Sequence, residues 1–485
     1  MSASTAIHAL QSAFPGDQIA LPGTEQYATW NTSYLAQQES DIQPACIFRP
    51  KSSQQVSQLL QLISPFAASG EAPFAIRGAG NMPEPGCANV QDGITLNLGL
   101  MTDIELDQDK GMVRVQAGAK WGGAVDAGVQ AAGLGVCGGR SGNGGIGGLA
   151  LTVSSGLSFF SSREGFISDN VLNFEIALAS GEVVNANADE NHDLWLALKG
   201  GSNNFGVVTR FDFQTFTQGP FWGGNVYYFP PIFPAQIDAL AVELNRHVSE
   251  QDPDTHIMIS TGYASQFKTN MCLNTVYYTK EATEAPSALV PFTHIQPQLP
   301  QLNSLRPLSL TEAAAGQAAG VSNQVRCLYM NMTVRADAST LKNAADLYTS
   351  GIAPLQESVA GLVCSFTLQP YPVPLLRASV AKGGNSLGLD PEVPAVSILL
   401  LTYWTSRDND DRVGATMKAI LEAIQGMASE RKTALEFVYL NYAAAFQDPI
   451  ASYGEENRRR LQEVSRKYDP QGLFQKAVPG GFKLF

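Results

Sequence analysis

Nine of the sixteen residues from 133 to 148 are glycine, and a shorter glycine-bearing stretch, Ile76-Arg77-Gly78-Ala79-Gly80-Asn81, precedes them. Glycine at that density costs backbone entropy and fills no core. Its usual compensation is the close approach of backbone N–H groups to a ligand, most often a phosphate. Together the two stretches read as one cradle for a dinucleotide. The competing reading is that the glycines only make tight turns, and nine exceed what one turn needs.

At 485 residues the chain is too long for one compact core, so two lobes are expected. Hydrophobic residues at 44% and charged residues at 15% describe an ordinary globular protein. The net charge is −13 and no run of Lys and Arg offers a phosphate-backbone footprint, which argues against nucleic acid as a partner. Six cysteines are scattered with no C-x-x-C pair, as buried thiols are, so neither a disulfide framework nor a zinc site is expected. No apolar run is long enough for a membrane span. The N-terminus has no basic n-region and no apolar h-region, so no signal peptide is expected and the location is read as cytoplasmic. Asn31-Thr32-Ser33 and Asn331-Met332-Thr333 match the glycosylation pattern, which means little without a secretory signal.

Residues 1–40 are polar and weakly patterned and are expected to wrap the surface. Strands are expected at 45–48, 74–77, 94–98 and 112–116. Helices are expected around Val56, Leu59, Leu60 and Ile63 and over 121–132, the latter stopped by Gly133. Gly219-Pro220 marks a change of pattern. Beyond it, strands at 225–229, 256–263, 272–278, 328–334 and 396–404 alternate with helices at 237–248, 339–349 and 412–428. Strands that follow one another without a crossover helix argue for an antiparallel sheet covered by helices on one face. Residues 313–320 read as a loop or loose helix. A strand over 435–442 and a helix over 455–468 close the chain.

Gly142-Asn143-Gly144-Gly145-Ile146-Gly147 matches G-x-G-x-x-G, but that fingerprint should follow a buried strand and open a helix inside a βαβ unit. Here a helix is expected before it and a poor helix start after it. The order of parts instead resembles the flavoproteins of the vanillyl-alcohol oxidase superfamily, in the berberine-bridge-enzyme-like branch. The matching residues are Pro44 to Pro50, the loop Arg77 to Asn81, Gly145 to Gly148, Gly165 to Val171, Asp193 to Val208, Tyr439-Leu440-Asn441-Tyr442 and Tyr468-Asp469-Pro470. Together they are specific; singly they are not.

The resemblance implies an α+β protein. A PCMH-type FAD-binding domain of two α/β subdomains would occupy 40–217, and a substrate domain with a helix-covered antiparallel sheet 218–434. Residues 435–485 would return to the first domain. It implies FAD as cofactor, with Arg77, Gly78, Ala79, Gly80, Asn81, Met82, Ser141, Gly145, Gly147, Gly148, Ser154, Ser155, Val208 and Asn441 around it. Many relatives tether FAD through a His at the position of Asn81 and some through a Cys at that of Ser141. Neither residue here forms such a link, and Cys137 is the only nearby thiol, so the flavin is expected to be held non-covalently. Ser154-Ser155 stand where relatives usually carry glycines.

Oxidation by flavin often needs a base for the departing proton. Tyr439 and Tyr442, expected on opposite faces of the tail strand, and Tyr403 are the candidates; for each the alternative is a core tyrosine with a satisfied hydroxyl. The function that follows is an FAD-dependent oxidoreductase, oxidase or dehydrogenase, acting on a small organic molecule in secondary metabolism. A non-redox cyclase or isomerase on the same fold is the alternative.

Overall fold

The computed structural model describes residues 4–68, 70–152, 157–319 and 325–485. A small first sheet is built from β1 (Ile19–Ala20), β2 (Cys46–Phe48), β3 (Phe74–Arg77) and β4 (Ile94–Asn97) in the order β1-β2-β4-β3. β2, β4 and β3 run parallel, and β2 and β4 are buried along their whole length, with the polar Thr95 of β4 hydrogen-bonded to Asn89. The crossover from β2 to β3 is the helix Ser53–Ala68, whose Val56, Leu59, Leu60 and Ile63 are fully buried. The N-terminal segment does not merely wrap the surface. Helices Ser4–Ala13, Glu25–Asn31 and Gln37–Asp41 form there. Ala6, Leu10 and Phe14, four residues apart, are buried in the first core, with Phe14 4.4 Å from Phe48, ring centre to ring centre. That i, i+4, i+8 spacing is the signal the polar composition hid.

The second sheet holds β5 (Ile104–Asp107), β6 (Met112–Gln116), β7 (Leu134–Val136), β8 (Val171–Ala177), β9 (Val183–Asn187) and β10 (Val207–Thr217). Its order is β5-β6-β10-β8-β9, with β7 on the far end of β10, and every pairing is antiparallel. The helix expected over 121–132 starts as π-helical turns at Trp121–Asp126 and becomes α-helical only at Ala127–Ala131. A strand, β7, does precede the G-x-G-x-x-G run, and a short helix, Ile146–Leu151, opens within it. Because β7 is antiparallel to its neighbour there is no βαβ unit, so the dinucleotide fingerprint fails on topology.

The third sheet is antiparallel throughout: β11 (Phe221–Tyr228), β12 (Thr255–Ala264), β13 (Thr269–Tyr278), β14 (Arg306–Leu308), β15 (Arg326–Arg335), β16 (Val363–Tyr371), β17 (Ala395–Trp404) and β18 (Ala434–Leu435), in the order β14-β11-β13-β12-β16-β17-β15-β18. Helices Phe233–Leu244, Ala338–Gly351 and Asp410–Glu430 pack with one face in a second core that includes Ile259, Phe366, Leu368, Ile398 and Leu400. The intervening residues, such as Ser260, Thr367, Leu399 and Asn331 in register across four strands, point to the other face. Residues 310–319 form a helix; Gly320 lies outside the described residues.

The tail strand expected over 435–442 shrinks to Ala434–Leu435. Asn331 is the reason: its side-chain Oδ1 accepts from the Tyr439 N–H and its Nδ2 donates to the Tyr439 carbonyl, so that residue needs no strand partner. The helix Glu455–Tyr468 follows as expected, and Phe474 packs on Phe74 of β3. Both glycosylation patterns fail, because Asn31 and Asn331 are 3% and 0% exposed with their amides hydrogen-bonded inside. All six cysteines are free and five are buried. No helix among the described residues is long and apolar enough to cross a membrane.

Candidate active site

The first glycine stretch leaves the end of β3 and enters a cleft of about 500 Å³. Gly78 and Ala79 form one wall, Gly118, Ala119 and Lys120 another, and Gly142 and Asn143 of the second glycine cluster a third. Among the described residues, no hydrogen bond is donated to protein by the backbone N–H groups of Gly78, Ala79, Gly80, Asn81 or Met82. Five successive main-chain donors without acceptors make an anion nest. The glycines are needed for close approach: a Cβ on Gly145 would meet the Ala79 Cβ at 2.6 Å, and one on Gly122 would meet the Gly142 Cα at 2.5 Å. Gly80 has φ +70° and lies against Tyr34, which no L side chain tolerates easily. The Asn81 amide donates to the Asn143 carbonyl at 2.5 Å and so laces the two clusters together.

The charge agrees with the donors. Arg49, Arg77 and Lys120 line the cleft and, among the described residues, no carboxylate does, in a chain of net charge −13. Arg77 is held rigidly: Nη1 donates to the Trp30 carbonyl at 2.7 Å, Nη2 donates to the Ser33 carbonyl and hydroxyl, and the guanidinium lies 3.6 Å from the Tyr34 ring centre. Arg49 sits 4.7 Å over the Trp30 ring, and its buried Nε has no partner. Burial pushes both guanidinium pKa values down, and for Arg49 the neighbouring Arg77 adds to it. Two cations crowded together with an orphaned donor call for an anion between them.

Comparison with known proteins identifies the family. The FAD binding domain family matches residues 44–187. A FAD-dependent monooxygenase of Cochliobolus heterostrophus is 34% identical over 460 residues, covering 93% of this chain and 87% of that protein. The chain belongs to the FAD-linked oxidoreductases of the vanillyl-alcohol oxidase superfamily. A FAD-dependent monooxygenase of Fusarium proliferatum is likewise 34% identical over 461 residues, with 93% and 87% covered. Among solved structures, the xylooligosaccharide oxidase of Myceliophthora thermophila superposes with a TM-score of 0.79 at 20% identity, over 98% of this chain and 99% of that one. The BBE-like 1 protein of Physcomitrella patens gives 0.78 at 18% identity, over 99% of each. This flavoenzyme takes FAD, and the cleft fits it: the amide nest and the three cations suit a diphosphate.

Of the residues named from sequence, Arg77, Gly78 and Ala79 line the cleft, and Gly80, Asn81 and Met82 continue the nest. Gly147 stands opposite Gly78; a Cβ on either would lie 3.7 or 3.6 Å from the same Ala117 carbonyl oxygen. Gly145 is pressed on Ala79, and Gly148 is exposed at the start of helix Ile146–Leu151. The Ser141 carbonyl accepts from the Gly144 N–H. Val208 is not brought to the cleft lining; it lies inside β10, 3% exposed, as a core residue opposite Ile176. Ser154 and Ser155 lie outside the described residues. Cys137 is fully buried in the first core, and burial pushes its thiol up to about 12, which keeps it from being a thiolate.

The three candidate tyrosines converge. Tyr439 and Tyr442 do not point to opposite faces, because Leu440–Tyr442 is a 3₁₀ turn and brings their rings to 4.4 Å. Tyr403, on β17, shares a hydroxyl–hydroxyl hydrogen bond with Tyr329, on β15, whose ring lies 5.8 Å from that of Tyr442. Burial pushes the phenol pKa values of Tyr403 and Tyr439 up; Tyr439 is a core tyrosine, while Tyr403 is half-buried. Tyr442, half-buried like Tyr403, differs in its partners: its hydroxyl oxygen accepts from Arg140 Nη2 at 3.2 Å and Gln369 Nε2 at 3.4 Å. The Asn441 side chain, also half-buried, makes no hydrogen bond among the described residues.

Sequence reasoning missed Trp30, Ser33, Arg49, Lys120 and Arg140. Arg49 sat inside a quoted motif, and Arg140 inside the glycine cluster. A lone basic residue among nine glycines was the available signal.

Proposed function

We propose that this flavoenzyme oxidises a small organic molecule, in secondary metabolism, with FAD held by hydrogen bonds and packing alone. The observation that carries the proposal is the run of five unbonded amides from Gly78 to Met82, whose first two residues line one cleft with Arg49, Arg77 and Lys120. These groups would hold the diphosphate. Asn81 stands at one tether position and uses its amide on Asn143, Ser141 stands at the other, and the Cys137 thiol is sealed in the core. Bound FAD supplies a two-electron acceptor. Asn441 would meet the flavin edge.

Tyr442 handles the proton. Oxidation of an alcohol or amine carbon removes two electrons and two protons, and the heteroatom proton needs a nearby oxygen. To take that proton Tyr442 would first release its own to solvent; the phenolate then left, held by the N–H groups of Arg140 and Gln369 and facing the guanidinium charge, would accept the heteroatom proton and return to the neutral phenol. Tyr439 packs Tyr442 in place, and the Tyr403–Tyr329 pair backs it. The working division is an FAD lobe at 40–217 completed by 435–485, and a substrate lobe at 218–434. The Arg140 bridge to Gln369 supports a substrate bound between them. The names of the fungal relatives support dioxygen as the co-reactant; nothing in them favours a non-redox cyclase.

The purified protein should show flavin absorption, and acid precipitation should release the flavin to the supernatant. A yellow pellet would refute the untethered cofactor. Protein that stays colourless after incubation with FAD would refute the cleft assignment. Product formed without consumption of dioxygen or a dye would refute oxidation.

A further inference from the structure

Arg140 crosses from the second glycine cluster to the inner face of the third sheet. Its Nη2 donates to Gln369 Oε1 at 2.9 Å and to the Tyr442 hydroxyl oxygen at 3.2 Å, and its Nη1 approaches Met258 Sδ at 3.4 Å. All three partners are neutral, and among the described residues no ion pair joins Arg140 to a carboxylate. Arg163 and Arg326 are each paired with two carboxylates, whereas Arg140, like Arg49 and Arg77 at the cofactor cleft, has none among the described residues. A half-buried cation held only by neutral acceptors has lost hydration without gaining a counter-charge.

The surroundings of Arg140 point the same way. His256 lies two residues before Met258 on β12, so both side chains take the same face. His256 is 9% exposed, its Nε2 has no partner, and its ring sits 5.8 Å from that of Phe159 and 6.3 Å from that of Tyr277. Burial, and secondarily the Arg140 charge, push its pKa well below the usual range, so it stays neutral and provides no competing cation.

We propose that Arg140, steadied by Gln369 and Tyr442, is the subsite for an acidic oxygen of the substrate, a carboxylate or a phenolate. The substrate class is then small organic acids and acidic phenols, not neutral alcohols or sugars. This rests on the flavoenzyme reading above. Placing the charge beside Tyr442 sets the substrate next to the group that exchanges the proton.

The test titrates the holoenzyme with benzoate, 4-nitrophenolate and the neutral isostere benzamide, following the flavin absorption band. Wild type should bind at least one of the acids about tenfold or more tightly than benzamide. Arg140→Gln should remove that preference and leave benzamide binding unchanged, while Arg140→Lys, which keeps the charge, should recover part of it. Equal binding of acid and amide by wild type, no saturable binding of either acid, or acid binding unaffected by Arg140→Gln would overturn the subsite. An Arg140→Gln protein that loses FAD but keeps acid preference when reloaded would assign the arginine to the cofactor and overturn it too. Calorimetry on flavin-free protein repeats the acid–amide comparison, so a protein that refuses FAD altogether would refute the cofactor reading while the subsite is still judged on its own. If Arg140→Gln fails to fold, the Lys variant decides: acid preference lost despite retained charge and fold would overturn the proposal.

Discussion

Gly78→Ala separates the needs of the fold from those of the cofactor. A Cβ built on Gly78 meets only the Ala117 carbonyl oxygen, at 3.6 Å, an ordinary contact, and Gly78 does not have a positive φ. The apoprotein should therefore tolerate the change and gain about 0.4–1 kcal/mol, because alanine narrows the unfolded ensemble. The holoprotein should not. Gly78 lines the cleft and opens the run of unbonded amides, and a methyl group there would intrude on the space proposed for the diphosphate. Overpacking of that kind costs about 1–3 kcal/mol, a loss of FAD affinity of roughly tenfold to a hundredfold. Gly147→Ala, facing the same carbonyl oxygen at 3.7 Å, should behave alike. Gly145→Ala should not: its Cβ would sit 2.6 Å from the Ala79 Cβ and 3.1 Å from the Ala79 nitrogen, so the two loops must part even without cofactor. Thermal unfolding of deflavinated protein, with quenching of FAD fluorescence on titration, reads both quantities. A Gly78→Ala protein that binds FAD as wild type does, or that loses apoprotein stability as Gly145→Ala does, would refute the reasoning.

Arg49→Met removes a guanidinium with an orphaned Nε, so apoprotein stability should hold or rise while FAD affinity, by the same titration, falls about tenfold or more. Tyr442→Phe should lower turnover by about 10²–10⁴-fold with FAD binding and melting temperature nearly unchanged, as stopped-flow reduction of the bound flavin would read. Tyr403→Phe should leave the chemistry intact but strand the Tyr329 hydroxyl, costing about 1–3 kcal/mol in denaturant unfolding. Lys483 is pushed down to about 7 by burial, so between about pH 7 and 10 the folded protein has released a proton that the unfolded chain still holds. Stability should rise with pH through that window and level off below about pH 7, where both states hold the proton, and Lys483→Met should flatten the rise in melting temperature.

What the sequence carried, and what it hid, divides along the range of the interactions. The glycine clusters announced themselves because a backbone cradle is written in consecutive residues, and the helix Glu455–Tyr468 because its periodicity is local. β16 was invisible for a different reason. Pro370 argues against a central strand, yet β16 lies between β12 and β17. The pairing with β12 ends at Leu368, so the proline sits where one edge of the strand is already free. That strand supplies Gln369, the one residue that hydrogen-bonds both Arg140 and Tyr442 among the described residues. The tail tyrosines were found but misdirected, because strand alternation was assumed where the Asn331 side chain, more than a hundred residues upstream, satisfies the Tyr439 backbone and releases the chain into a 3₁₀ turn. The cofactor cradle is thus local and legible. The proposed proton-handling cluster is instead assembled from β12, β15, β16 and β17, the tail turn and one arginine in the glycine cluster, none of which carries its meaning alone. A substitution in the cradle should therefore change FAD affinity in a way its own neighbours explain. Arg140→Gln and Gln369→Met should instead prove non-additive when combined, because both act on the one hydroxyl oxygen of Tyr442.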